Sequence, residues 1–155
     1  MKLQGTHFLA LVLGVVLCAA GVLAQGKTQA AASDDRVQEL YGQARSAQAA
    51  GNLAGAAAKY EEILKISPRL AAAYNNLGSI YVQQREFRKA ADVLQKGLEI
   101  NRDMPSASAL LGIALYEMGD YSKARPRLEA AARANPNDSN AALYLANDLI
   151  HLNQF

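Results

Sequence analysis

From residue 34 onward, apolar side chains recur three and four positions apart, and Gly, Pro or Asn breaks the runs at short intervals. Residues so spaced share one face of a helix, so each run reads as an amphipathic helix with a single buried stripe. The pattern predicts seven helices, at about 34–50, 53–66, 70–84, 87–100, 105–118, 121–134 and 139–152. The breaks have chemical reasons. Gly51 can take the left-handed conformation that closes the first helix. Ser67-Pro68 and Asn135-Pro136 stop the second and sixth, because Pro cannot continue a helix and disfavours helical backbone just before it. Pro105 suits the first position of the fifth helix. Ser33, followed by Asp34 and Asp35, reads as a capping residue with acids at the positive end of the helix dipole. Connections of a few residues leave neighbouring helices no choice but to run antiparallel.

The helices also repeat. Gly51, Arg85, Gly119 and Asn153 are each 34 residues apart, as are Leu53, Phe87, Tyr121 and Phe155, and Ala56, Ala90 and Ala124; Pro68 and Pro136 are two periods apart. A fixed period of this length means that one two-helix unit is stacked, each copy burying its apolar face on the next. In register, the full units are 37–70, 71–104 and 105–138, followed by a half unit at 139–155. The fourth, seventh, eighth and eleventh positions of each unit form the packing face of its first helix: Leu40, Gln43, Ala44 and Ala47, then Tyr74, Leu77, Gly78 and Tyr81, then Ser108, Leu111, Gly112 and Leu115, then Ala142, Leu145, Ala146 and Leu149. The small eighth residue admits the second helix, whose Ala56/Tyr60, Ala90/Leu94 and Ala124/Leu128 reciprocate.

Residues 73–81 (Ala-Tyr-Asn-Asn-Leu-Gly-Ser-Ile-Tyr), with Phe87, Ala90 and the in-phase Leu111-Gly112, Tyr121, Ala124, Leu128, Ala131 and Pro136, resemble the tetratricopeptide repeat pattern over about residues 37–155. Arg102, where Pro is usual, and Pro126, inside the sixth helix, depart from it. The resemblance implies an all-α, right-handed α-solenoid of antiparallel helix pairs. It assigns Tyr60, Tyr74, Tyr81 and Tyr121 to packing. It also implies that a partner lies in a concave groove lined by the first helix of each pair. By the family's groove positions that face comprises Gln38, Tyr41, Arg45, Gln48 and Ala49; Ala72, Asn75, Ser79, Val82 and Gln83; Ser106, Ala109, Ile113, Tyr116 and Glu117; and Asn140, Leu143, Asn147, Ile150 and His151. Tyr41 and Tyr116, off the packing positions, are the expected exposed aromatics.

The groove so drawn is rich in amides and nearly free of net charge. Amides can pair with an extended peptide backbone, and Tyr adds contact area at low entropic cost, so the expected ligand is a protein or peptide segment. One family specialisation grips a terminal carboxylate with Lys, Arg and Asn from successive repeats; here Arg45 and Asn75 are the candidates for it and the groove has no Lys. Another lines the superhelix with Asn at the sixth position; Asn76 fits, whereas Gly42, Leu110 and Tyr144 do not, which argues against the sugar-transferring relatives.

Composition agrees with an all-α array. The chain is 51% hydrophobic, much of it Ala, with no Trp, and Ala is the best helix former. A formal charge of +2 and the absence of a dense basic stripe give no reason to expect nucleic acid. Catalysis is not expected: no Ser/His/Asp arrangement or phosphate-cradling Gly loop is present, and Glu61 and Glu62 are neighbours that face different ways. A single His151 beyond the leader makes no metal site, and no cofactor is expected.

The first 24 residues differ in kind. Met1-Lys2, the apolar run from Phe8 and small residues before Gln25 are the parts of a secretory signal peptide. Retained instead, residues 8–24 would form an inner-membrane anchor near the shortest spanning length. Leu17 before Cys18 argues against lipoprotein processing. Cleavage after Ala24 removes the only Cys and suits a periplasmic or secreted protein without disulfides. Residues 25–33 read as a flexible leader. At the other end, the last period is cut midway. The chain is then either part of a longer array or closed by its seventh helix as a cap, with self-association through that helix possible. The leading expectation is an exported, non-catalytic interaction scaffold; the alternatives are the N-terminal docking part of a longer exported enzyme and a membrane-tethered assembly factor.

Overall fold

A computed structural model describes residues 32–137 and 139–152, with the side chains at 148, 149, 151 and 152 excepted. The expected signal peptide, most of the leader, and the turn at Asn153 and Phe155 lie outside the described residues. The chain forms two units, Met1–Glu39 and Leu40–Phe155. The described part of the first is the beginning of α1 (32–49), where Arg36 pairs with Glu39 at 2.6 Å. Ala32 and Ser33 are already helical. Ser33 therefore lies within the helix and is not the cap it was expected to be.

The second unit continues α1 from Leu40 and adds α2 (Leu53–Ile66), α3 (Ala71–Gln83), α4 (Phe87–Ile100), α5 (Pro105–Glu117), α6 (Tyr121–Ala134) and α7 (Ser139–Leu152). There is no strand among the described residues. Consecutive helices from α2 to α7 pack on one another, and first helices also touch across repeats, α3 on α5 and α5 on α7. This is the contact pattern of a helical-hairpin solenoid.

One backbone device closes the first helix of each full unit. Gly51 N–H donates to Gln48 O and Asn52 N–H to Ala47 O, both at 2.9 Å. The same two bonds recur one period on, from Arg85 to Val82 (3.0 Å) and Glu86 to Tyr81 (2.8 Å), and again from Gly119 to Tyr116 (2.8 Å) and Asp120 to Leu115 (2.9 Å). This is the Schellman cap, which satisfies the last carbonyls of a helix and requires a left-handed residue at its corner. The corner residues have φ 74, 60 and 82.

The core is a ladder of small-against-large pairs. A Cβ on Gly78 would strike Leu94 Cγ, and one on Gly112 would lie 2.7 Å from Leu128 Cγ. Leu94 and Leu128 are fully buried. The corresponding residues of the first unit, Ala44 and Tyr60, are also buried. Burial of each such large side chain contributes roughly 1.5–3 kcal/mol. Some packing assignments differ. Gln43, placed on the packing face of α1, is exposed, as its polar amide favours. Tyr121 is 41% exposed, lying edge-on to Tyr116 instead of entering the core. On α7 the buried residue is Ala141, while Ala142 and Ala146 are exposed, because no described helix covers that face.

Candidate functional site

The expected groove residues fall into three sets. Those on α1 from Tyr41 onward and those on α3 are exposed or half-buried. Tyr41 is half-buried, its ring edge-to-face with Tyr60 at 5.5 Å, and Asn76 lies beside its hydroxyl. Burial pushes the Tyr41 phenol above its ordinary pKa, the neighbouring Tyr60 adds to the rise, and Asn76 opposes it. Gln48 accepts a 3.2 Å bond from the Tyr60 hydroxyl. Burial raises Tyr60 as well, against the lowering effect of Arg45. Arg45 itself is exposed. On α3, Gln83 Nε2 donates to Ser79 Oγ at 3.4 Å, and Asn75 Oδ1 is sealed from solvent with no hydrogen-bond partner. Asn75 and Asn76 line a cleft of about 300 Å³ whose far side is Met104 and Ser106 at the start of α5. An unpaired buried carbonyl is costly.

The residues on α5 separate. Ala109 and Ile113 are 4% and 7% exposed and belong to one cluster with Ala124, Leu128, Ala131 and Ala141. They are packing residues, not an open wall, because α7 lies against α5 and covers them. Val82 is partly buried against the same cluster. Tyr116 is half-buried between two other rings, 4.9 Å from Tyr121 and 5.1 Å from Tyr144, both edge-to-face. The two tyrosines expected to be exposed are thus both braced by aromatic neighbours, as such pairs prefer. Glu117 is where charge gathers. Its Oε1 accepts from the Tyr144 hydroxyl at 2.7 Å, and its Oε2 lies 3.6 Å from the Arg85 guanidinium. Burial, then the Glu117 bond, pushes Tyr144 up to about 12.

Among the rest, Gln38 is exposed on the first unit, Ala49, Ala72, Ser106, Asn140, Leu143 and Ile150 are exposed, and Asn147 is half-buried. The His151 side chain lies outside the described residues. Three residues outside the expected positions meet expected ones: Asn76 beside Tyr41, and Arg85 and Tyr144 at Glu117. Arg85 had a signal, since it stands one period from Gly51 and Gly119.

Two family models, each described as tetratricopeptide repeat, match residues 47–114 and 110–154. The chain belongs to the tetratricopeptide repeat family. Solved structures agree on the fold. The Arabidopsis OM64 tetratricopeptide repeat domain is 18% identical, with a TM-score of 0.72 over 77% of this chain and 98% of that one. The second such domain of human RPAP3, in complex with the HSP70 peptide SGPTIEEVD, is 15% identical, with a TM-score of 0.69 over 75% and 97%. A Thermobaculum terrenum O-GlcNAc transferase mutant is 21% identical, with a TM-score of 0.68 over 76% of this chain and 22% of that one. Among the described residues, this tetratricopeptide repeat chain brings together no group of three metal-ligating side chains, and it has no helix long and apolar enough to cross a membrane.

Proposed function

We propose that this tetratricopeptide repeat protein is a non-catalytic scaffold that holds an extended segment of a partner protein along the first helices of its repeats. The observation that carries this reading is the polar face of α3, on which Asn75, Asn76 and Ser79 are half-buried and Gln83 is exposed. Side-chain amides present a donor and an acceptor, matching the two groups of a peptide unit. The RPAP3 domain complexed with SGPTIEEVD supports a peptide as the ligand class. Its peptide ends in acids. Here Arg45 is the lone cation among the expected groove residues, and Arg85 is offset by Glu117. The favoured segment is therefore polar and uncharged.

The test is selection of peptides from a random display library on the purified protein, followed by titration. Uncharged, amide-rich winners that bind Asn75→Ala at least tenfold more weakly (about 1.4 kcal/mol) support the reading. Winners that bind Asn75→Ala and Tyr41→Ala as tightly as wild type would sink it, and tight binding of SGPTIEEVD would overturn its charge preference. Export is part of the proposal and rests on residues 1–24. A mature N-terminus at Gln25 supports it; one at Met1 favours an anchor.

A further inference from the structure

We infer that the cleft between α4 and α6 is a second binding site, one that receives a tyrosine side chain from a partner protein. It uses none of the groove positions and does not rest on the groove reading. Both helices pack on α5, and only side chains reach between them, Arg127 of α6 to Gln95 of α4 among the described contacts. The opening between them holds about 430 Å³, floored by Leu111 and Leu115 and walled by Ala91, Asp92 and Gln95 of α4 and by Lys123, Pro126 and Arg127 of α6. That is within the range of small-molecule and side-chain pockets.

The preceding repeat shows what this seat holds when it is filled. One period earlier, Tyr81 stands where Leu115 stands, Glu61 where Gln95 stands, and Lys89 where Lys123 stands. There the Tyr81 hydroxyl donates a 2.6 Å bond to Glu61 Oε1, the Lys89 ammonium lies 5.4 Å from the ring centroid, and the ring is 7% exposed. The fold thus supplies its own phenol to a three-helix seat with a hydrogen-bond acceptor on one wall and a cation over the ring. At the next step the acceptor and the cation remain, but Leu115 is shorter and carries neither ring nor hydroxyl. Lys123 keeps its partner Asp120 at 2.6 Å, just as Lys89 keeps Glu86. Gln95 Oε1 is met by Arg127 at 3.5 Å, the weak limit of a hydrogen bond. Pro126 stands where the earlier repeat has Asp92 and gives the α6 wall an apolar patch between Lys123 and Arg127.

Pro126 also has no N–H, so the Ser122 carbonyl lacks its usual in-helix donor. Ser122 lines the same cleft and can accept from the backbone of an incoming segment. An aliphatic side chain would meet the floor but leave Gln95 and Lys123 unused. A tyrosine uses all of them: ring on Leu111, Leu115 and Pro126, Lys123 over its face, and hydroxyl on Gln95.

Two-dimensional NMR titration of the purified protein with N-acetyl-tyrosinamide tests this, with N-acetyl-leucinamide alongside. The expected result is saturable shifts of the Ala91, Leu111, Leu115 and Lys123 amides, several-fold weaker with the leucine compound. Leu115→Tyr, which restores the earlier repeat's own ring, is expected to abolish them. Ala91→Leu fills the cleft from α4 and is expected to do the same, which guards against misfolding of the first variant. No saturable shift at these residues, equal binding of both amides, or unchanged binding by either variant in folded form would overturn the assignment.

Discussion

Arg85 turns the chain at the same point of its repeat as Gly51 does, with φ 60 against φ 74. The two share a pair of cap hydrogen bonds, but only glycine takes this conformation without a clash of Cβ. Arg85 recovers only part of this cost: its guanidinium is 3.6 Å from Glu117 with the side chain 77% exposed, where pairs are worth little, and 5.5 Å from the centroid of the Phe87 ring. Arg85→Gly is therefore expected to stabilise the fold by about 1 kcal/mol. Gly119→Ala, at φ 82, is expected to destabilise by about 1–2 kcal/mol. Urea denaturation with an unchanged slope checks both, and a less stable Arg85→Gly would refute the strain argument.

Glycine inside a helix obeys a different rule, and two positions of one register separate its causes. Gly112 is where the second helix crosses: an added Cβ would sit 2.7 Å from Leu128 Cγ and 3.2 Å from the Leu128 backbone nitrogen. The backbone cannot retreat without shifting α6, so Gly112→Ala is expected to cost about 1–3 kcal/mol. Gly42 in α1 has nothing within 4 Å of such a Cβ. Gly42→Ala removes the helix-interior penalty and is expected to stabilise by up to about 1 kcal/mol. Equal effects in thermal unfolding would mean that packing does not decide at Gly112.

The periodic pattern reveals almost all of the helix ends, because caps and prolines act over three or four residues and are written locally. Five expected helices, from Leu53, Phe87, Pro105, Tyr121 and Ser139, begin at the very residue at which the structure begins them. The face of a first helix is harder to read. Whether the fifth and ninth positions are open or covered depends on how closely the next first helix approaches. α7 covers Ala109 and Ile113 on α5, whereas Asn75 on α3 edges a cleft. No local spacing encodes that rotation between repeats. Tyr144 was invisible for a similar reason: its partner Glu117 is 27 residues back in sequence, on another repeat.

Alkaline pH should probe the two phenols that hold carboxylates. Burial, and then the bonded carboxylate, raise Tyr81 through Glu61 and Tyr144 through Glu117 above the ordinary phenol value of 10.0, Tyr144 to about 12. The charged form is the disfavoured one, so the folded state holds these protons more tightly than the unfolded chain. Their contribution is fully present below about pH 10 and is lost as pH rises toward 12 and beyond. Unfolding followed by circular dichroism is expected to set in across that window, with phenolate absorbance appearing late for these two. Tyr144→Phe removes one proton from the linkage and is expected to flatten the pH dependence of stability above pH 10. An unchanged slope in that variant would dissociate Tyr144 from the alkaline transition.

Tyr116 sits between Tyr121 and Tyr144, so the end of the groove is stiffened by a ring cluster that joins α5, α6 and α7. Each edge-to-face pair is worth about 0.5–1.5 kcal/mol beyond its buried area. Tyr116→Leu keeps most of the apolar contact and loses both pairs, and is expected to cost about 1–3 kcal/mol on that basis. The loss should be local, because α7 packs on α5 and α6 and on no other helix of the array from α2 onward. Amide hydrogen exchange resolves it: protection in α7 and the end of α5 is expected to fall, with α2 and α3 unchanged. A uniform loss of protection across the array would show instead that the repeats unfold as one unit and that the cluster serves the whole chain.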